Sequence, residues 1–338
     1  MLRSLYAGIS GMKVNQQKLD VIANNIANVG TTAFKSSRVR FQDMVSQSIS
    51  ESSSSSTNTG GVNGKQIGLG VQMAGIDTMV GQGMMQPTSR NLDVAMDGEG
   101  YLMVAKGAVP ISSTDGTTGM SLSYTRDGAL TLDDNGNLLN SDGLRVLGYA
   151  VSSTGTKAAT SLTYASSAPT SAYVNGNDAF KADADIIPLV IPESITVPAD
   201  SSAKPPTNTD TIERIKTFSI EKDGTIKAVL ESGKVAVLGQ IAMASFKNPA
   251  GLKKEGGNLF NVTSNSGVAV VRSGVGTPAA TDNSGSYGNM LSGMLEMSNV
   301  DLAEQFTDMI VASRAFQAMG KTITTGDEIL QDIIGLKR

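Results

Sequence analysis

The chain has 338 residues, enough for two or three compact domains, and contains neither cysteine nor histidine. These two absences exclude disulfide bonds, cysteine-ligated zinc sites and catalysis by Ser-His-Asp or Cys-His groups. Its 27 basic and 31 acidic residues include no basic block that could follow a phosphate backbone, and its apolar runs stop far short of the ~20 residues that span a bilayer. We therefore predict no nucleic-acid partner, no membrane insertion and no cleavable signal peptide.

The N-terminal segment repeats an apolar side chain every seven positions. The repeated residues are Leu5, Met12, Leu19 and Ile26. This spacing predicts an amphipathic helix over 1–30, with Gly30 as its C-terminal cap.

The next segment, 31–74, is predicted to be a linker or loop region. Its centre, Glu51–Gly64 (ESSSSSTNTGGVNG), has low complexity and little apolar surface to offset the entropy of ordering the chain. We therefore expect this centre to be a flexible loop.

The middle of the chain has the pattern of β structure. Short alternating apolar runs, separated by turns rich in Asp, Asn and Gly, occupy 75–149 and return in 212–290. Both stretches predict antiparallel strands of one discontinuous β domain. Between them, 150–211 is rich in Ser, Thr, Ala and Pro, and we expect an inserted outer β domain that returns through a linker at 198–211.

The C-terminal segment, 299–338, carries a second apolar stripe. Its members are Leu302, Phe306, Met309, Phe316, Ile323 and Leu330. Ser298 and Asp301, three residues apart, read as a capping box that starts the helix.

The two ends are predicted to pack together. Basic residues predominate in 1–40 and acidic residues in 296–338, so the two segments attract each other. We expect a coiled coil of the terminal helices; the alternative is two unrelated amphipathic helices on a globular core. The predicted fold class is mainly β with paired N- and C-terminal α-helices and discontinuous, nested β domains.

Several motifs resemble chemical sites without meeting their requirements. Asp93 and Asp97 lie on one strand and its turn and do not define the cleft that paired catalytic carboxylates need. The run 133–137 (DDNGN) resembles a calcium loop, but Leu144 stands where an EF-hand needs glutamate, so we interpret the run as a hairpin turn. We therefore predict that the chain is not an enzyme and that it binds no cofactor and no metal.

The residues Asp20–Lys35 (DVIANNIANVGTTAFK) resemble the N-terminal signature of the bacterial flagellar rod and hook proteins. The matching residues are Ala23, Asn24, Asn25, Ile26, Ala27, Asn28, Thr32, Phe34 and Lys35, whereas Ala33 stands where many members have glycine. The segments 91–101, 239–258 and 291–336 are also similar to this family. Only 150–211 lies outside the resemblance.

The resemblance is closest to the hook members of the family. It implies a structural subunit that forms a helical homopolymer, a curved hollow tube carrying torque from rod to filament. Implied partners are the flagellar rod, the hook cap, the hook-filament junction proteins and the flagellar type III export apparatus, and the implied location is the extracellular flagellum. The alternatives are the distal rod protein, a carboxylate-dependent secreted hydrolase and a β-rich surface adhesin.

Two further sets of residues receive roles from the resemblance. The amides of Asn24, Asn25 and Asn28, with the two heptad stripes, are expected at the assembly interface; a solvated helix face is the alternative for the amides. Phe41 and Val45 have the Phe-x-x-x-hydrophobic spacing of an export element, although an ordinary hydrophobic contact would explain them equally.

Overall fold

The structure, a computed structural model, describes residues 2–55, 60–107, 120–153, 173–197, 211–272, 274–275 and 287–336. The chain forms two compact units. One, here called the terminal unit, consists of Met1–Gly81 with Ser298–Arg338, and the other, the β unit, is Gln82–Met297. In the described residues, neither helix is long and apolar enough to span a membrane.

The terminal unit contains helices α1 (Leu2–Ala27) and α2 (Leu302–Gly335). The two helices pack against each other, as the sequence predicts, although the heptad geometry of a coiled coil stays a prediction. Helix α1 ends three residues before Gly30, so the predicted cap is wrong. The expected capping box is also wrong, because Asp301 is itself the N-cap and accepts hydrogen bonds from the backbone N–H groups of Ala303 and Glu304.

The segment 31–74 is not the loop that the sequence predicts. It contributes four strands, which are β1 (Ser37–Asp43), β2 (Ser46–Ser50), β3 (Lys65–Gly68) and β4 (Val71–Thr78). Strand β1 pairs antiparallel with β4 and β2 with β3, so the chain forms a long two-stranded ribbon. Pairing continues into the serine-rich centre, where Ser53 and Val62 exchange backbone hydrogen bonds of 2.9 and 3.0 Å. The ribbon rests on backbone hydrogen bonds, and most of its side chains are exposed, so no alternating apolar pattern reveals it.

The β unit contains eighteen strands in its described residues. They are β5 (Met85–Pro87), β6 (Val94–Asp97), β7 (Tyr101–Gly107), β8 (Met120–Thr125), β9 (Thr131–Leu132), β10 (Leu138–Leu139), β11 (Arg145–Ser153), β12 (Phe180–Pro188), β13 (Ser194–Val197), β14 (Thr211–Ile220), β15 (Thr225–Leu230), β16 (Val235–Ile241), β17 (Met243–Ser245), β18 (Lys253–Gly256), β19 (Leu259–Asn261), β20 (Val270–Val271), β21 (Asn289–Ser292) and β22 (Met294–Glu296). The main sheet runs β13-β14-β15-β16-β11-β7-β8-β19-β18, and the pairings within the described residues are antiparallel, as predicted. Two small ribbons, β5 with β22 and β6 with β21, complete the unit.

The predicted turns of the β unit are confirmed. Strands β9 and β10 form a hairpin around 133–137, and the Asp133 carboxylate accepts hydrogen bonds from the backbone N–H groups of Asn135 (3.0 Å) and Asn137 (2.7 Å). Gly136 has φ +77°, a conformation that glycine adopts at little cost. The Asp133 carboxylate therefore stabilises the turn through these backbone hydrogen bonds.

The described part of 150–211 joins the main sheet. Strand β12 pairs with β11, and β13 pairs with β14. These pairings weigh against an independently folded insertion, while 154–172 and 198–210 lie outside the described residues. The separate outer domain over 150–211 stays a prediction.

Strand β7 lies at the centre of the β unit and is buried on both faces. Leu102 and Val104 belong to one apolar cluster, whereas Tyr101, Met103 and Ala105 belong to a second cluster on the other face. This double burial explains why 101–105 is an uninterrupted apolar run instead of an alternating one.

Candidate assembly interface

The two terminal helices run antiparallel in a single register. The contacts that define the register are Leu5 with Gly326, Gly8 with Ile323, Gly11 with Met319, Lys18 with Asp308, and Asn25 with Gln305. A Cβ atom added at Gly8 would lie 3.2 Å from Ile323 Cγ1, and one at Gly11 would lie 3.3 Å from Met319 Sδ. The glycines therefore let the two helix backbones approach closely.

The side of α2 that faces α1 is built from small and polar residues. Gln305, Ala312, Met319 and Gly326 are seven residues apart, and Ala312 is fully buried. The large apolar member of this row in contact with α1 is Met319, and Ile323, one turn further along α2, contacts Gly8. The intrachain contact therefore buries little apolar surface for a helix of this length.

The predicted stripe of α2 is displaced from the contacting row by three residues. Leu302, Phe306 and Phe316 are exposed, and Phe306 retains 50% of its accessible surface. Ile323 contacts Gly8, while Met309 and Leu330 are half-buried. The structure thus brings Ile323 of the stripe to α1 and leaves Leu302, Phe306 and Phe316 exposed.

The predicted stripe of α1 is more nearly enclosed. Leu5, Met12, Leu19 and Ile26 are all half-buried. The most buried apolar residues of this helix, Val14 and Ile22, lie outside the strict heptad.

The three asparagines of the signature occupy different environments. Asn25 is only 2% exposed: its Oδ1 accepts from Ser37 N at 3.0 Å, and its Nδ2 donates to Ser37 O at 2.8 Å and to Gln305 Oε1 at 3.0 Å. Asn28 Nδ2 donates to the backbone O of Asn24 at 2.9 Å, and the Asn24 side chain is exposed. Asn25 therefore acts inside the subunit, whereas Asn24 is accessible to a partner.

Two polar residues that the sequence pattern did not mark as structural lie beside Asn25. Lys35 is 1% exposed, and its Nζ donates to the backbone O of Gly81 at 2.9 Å. Asn299 Oδ1 accepts from Ser36 N at 2.8 Å, and its Nδ2 donates to Met79 O at 2.8 Å. Lys35 could be found only through the family signature, and Asn299 has no periodic signal at all.

The proposed export residues lie on the ribbon. Phe41 is an exposed member of β1, and Val45, between β1 and β2, retains 79% of its accessible surface. Phe41 retains 42% of its accessible surface, so both side chains are exposed within the described part of the chain.

The titratable groups of the β unit serve its packing. Arg126 Nε donates to Glu296 Oε2 at 2.9 Å, and the two side chains are 3% and 0% exposed. Burial raises the pKa of Tyr101 and of Tyr149 to about 12, so both phenols stay neutral at physiological pH. Among the described residues, no cluster of three or more acidic side chains could hold a metal ion.

Comparison with known proteins places these features in a class of structural subunits. Three family models match: "Flagella basal body rod protein" over 5–35, "Flagellar hook protein FlgE/F/G D1 domain" over 95–228, and "Flagellar basal body rod FlgEFG protein C-terminal" over 291–336. The flagellar basal-body rod protein FlgG of Bacillus subtilis is 41% identical over 338 residues, covering 100% of both chains. The flagellar hook protein FlgE of Borreliella burgdorferi is 30% identical over an alignment of 462 residues, again covering 100% of both.

The chain therefore belongs to the family of flagellar rod and hook proteins. This family is structural and forms part of the flagellum, so the chain is a flagellar structural protein and not an enzyme. A solved structure of the Helicobacter pylori flagellar hook protein FlgE2 aligns with 70% of this chain and 47% of its own, at 13% identity and a TM-score of 0.21. That score is too low to support an inference about this fold.

Proposed function

We propose that the chain is a subunit of the flagellar hook and that it polymerises through its terminal helices into a curved hollow tube. The observation that supports this proposal is the open apolar stripe of α2, formed by Leu302, Phe306, Ile310 and Phe316. A large exposed apolar patch on a water-exposed protein marks an interaction surface.

The partner of this stripe is a second copy of the chain. The 34-residue helix α2 is about 50 Å long, and its stripe continues to the exposed Ile334 near the end. A surface of this length suits another helix lying alongside. Repetition of one contact between identical chains builds a ring or a helical polymer.

The ribbon supports the same proposal. It exposes apolar side chains along its length, with Phe41, Val45, Ile49 and Ile67 as the clearest examples. An isolated two-stranded ribbon is marginally stable in water, so a neighbouring subunit would stabilise it.

Phe41 and Val45 have a second proposed role, in type III export. Their exposure before assembly makes them accessible to the export apparatus. Replacing both by alanine should reduce secretion at unchanged cellular protein level, whereas Ile49→Ala, an equally exposed apolar position on the same ribbon, should not. Equal secretion by both variants would contradict this role.

The distal rod is the second candidate, because the FlgG relative is 41% identical along the whole chain. Residues 150–211 do not separate the candidates, because the alignment with the FlgG relative spans 338 residues and 100% of both chains, whereas the alignment with the Borreliella burgdorferi FlgE relative spans 462.

Two experiments separate the candidates. Electron micrographs of the polymer formed by the full chain should show short curved tubes for a hook and straight rigid tubes for a rod. The gene should also restore motility to a strain lacking its hook subunit and fail in a strain lacking its distal rod subunit. Straight tubes together with rescue of the rod strain would overturn the hook assignment.

A further inference from the structure

The backbone of Ser36 and Ser37 is held by two asparagine side chains from distant parts of the chain. Asn25, near the end of α1, bonds to both N and O of Ser37, and Asn299, just before α2, accepts from Ser36 N. We call these two amides and the Ser36–Ser37 backbone the asparagine anchor. It ties the end of α1 and the start of α2 to the first residues of β1.

Asn25 also reaches across to α2. The same Nδ2 that donates to Ser37 O donates to Gln305 Oε1, so one buried amide joins three elements. Gln305 begins the row Gln305, Ala312, Met319 and Gly326, which faces α1. The anchor is therefore the first contact in the seam between the helices.

A change of register would alter both the packing and the polar contacts of the seam. A slip of α2 by seven residues would keep the same row against α1, bringing Ala312 to the position of Gln305 and Gly326 to the position of Met319. The slip would also place Gly326 opposite Gly11 in place of Met319, and Ile333 opposite Leu5 in place of Gly326. The slip would leave the Asn25 amide without its partner on α2, and an unpaired buried amide is strongly disfavoured.

From these observations we propose that Asn25 is a positioning residue that supplies the buried polar determinant of the α1–α2 register, with Asn299 holding the start of α2. Single polar residues in helix seams are known to specify register in this way. The register proposal concerns contacts within one subunit. The anchor also fixes the position of the exposed stripe of α2 along the helix pair, and this consequence for assembly rests on the proposed function.

The natural absence of cysteine permits a direct test in the full chain. The pair Gly11→Cys with Met319→Cys reports the observed register, and Gly11→Cys with Gly326→Cys reports the slipped one. In the otherwise natural chain, disulfide formation should strongly favour the first pair. Asn25→Leu, of similar size but without the amide, should lower the ratio of the two disulfides by about tenfold or more.

Asn28→Leu is the matched control, because Asn28 lies directly after α1 and its side chain bonds to Asn24 and Thr31 in its own segment. It should leave the ratio unchanged, and Asn25→Asp, which loses the donor that bonds Gln305 Oε1, should lower the ratio as Asn25→Leu does. Cooperative melting of the β unit verifies that each variant folds.

A ratio for Asn25→Leu within twofold of the natural chain would overturn the proposal. Loss of both disulfides would overturn it as well, since Asn25 would then be required for helix pairing and not for its register. Because register is measured by disulfides and the hook assignment by tube curvature, either proposal can fail while the other survives.

Discussion

The terminal unit and the β unit distribute their apolar side chains in opposite ways. Among the described residues, the buried apolar side chains of the terminal unit are Val14, Ile22, Ala33 and Ala312, and the extensive apolar clusters all lie in the β unit. Most of the exposed large apolar side chains, in contrast, belong to α2 and the ribbon. The difference teaches that the β unit carries its own core, whereas the terminal unit has surface that only a partner can cover.

The two units also use buried polar groups differently. The β unit buries an ion pair: Glu296 accepts from Arg126 through one carboxylate oxygen and from Gly83 N at 2.9 Å through the other, and Arg126 Nη2 donates to Gly98 O at 2.8 Å. The terminal unit buries the neutral amide of Asn25 and the ammonium group of Lys35, whose Nζ donates to the backbone O of Gly81. Amides can direct register, as Asn25 does, at a smaller desolvation cost than buried charges.

The substitution with the largest expected effect disrupts assembly through the terminal unit alone. Phe316→Asp places a charge on the open stripe, where burial against a neighbour would desolvate it, so we expect no polymer. The β unit should melt as in the natural chain, because it does not contain this residue. Sedimentation and electron microscopy measure assembly, and circular dichroism measures melting.

Ala318→Asp is the control for Phe316→Asp. It adds the same charge at an exposed position on another side of α2 and should leave assembly largely intact. Normal tubes from Phe316→Asp would refute the stripe as an interface.

A second change breaks the β unit alone. Glu296→Ala leaves the Arg126 guanidinium buried without its carboxylate and should lower the free energy of unfolding by about 3–5 kcal/mol. Denaturant titration of the isolated full-length chain measures this loss. Glu193→Ala removes the carboxylate of an exposed ion pair with Arg214 and should change stability little. Equal losses for the two variants would show that burial does not govern the contribution of the Arg126–Glu296 pair.

A third change tests how far the β unit extends into 150–211. Ile195 on β13 is fully buried in the main apolar cluster, so Ile195→Ala should destabilise the cooperative transition of the β unit by about 2–5 kcal/mol. Ile212→Ala, at an exposed apolar position on the neighbouring strand β14, serves as the control. If a separate second unfolding transition alone responded to Ile195→Ala, residues 150–211 would form an independent inserted domain.

The smallest expected effect appears only at high pH. Burial raises the pKa of Tyr101 and Tyr149 to about 12, above the ordinary value of 10, so the folded state favours the neutral phenols. Their contribution to stability is complete below pH 10 and is lost as the pH rises from 10 towards 12. The free energy of unfolding, measured by denaturant titration at several pH values in this range, should fall as the pH rises. Tyr101→Phe should make this fall smaller. If Tyr101→Phe left the pH dependence of the free energy of unfolding unchanged, the contribution assigned to Tyr101 would be contradicted.

The sequence predicted those features that depend on local patterns. Turn residues such as Asp133 and Gly136 specify their conformation through their own side chain or backbone, so the hairpins were found. The terminal helices were found because their apolar period is long and regular. The ribbon was missed because its strands are held by backbone hydrogen bonds, and Ser53 or Ser48 gives no apolar signal.

The candidate interface was only partly predictable. The apolar period locates the bulkiest row of α2, which includes Phe306 and Phe316, but the row that contacts α1 is marked by Ala312 and Gly326. Small residues carry no hydrophobic signal, yet they permit the closest helix contact. The role of Asn25 likewise depends on its position beside Ser37 in space, which no helical period encodes.

The central claim is that the β unit is complete in one chain and the terminal unit is completed by neighbours. Amide hydrogen exchange on dilute monomer and on assembled tubes tests it most directly. In the monomer, amides of 2–27 and 302–335 should exchange on the order of 100-fold faster than those of β7 and β16, and assembly should slow them to comparable rates. Slow exchange of both helices in the dilute monomer, unchanged by assembly, would contradict the account.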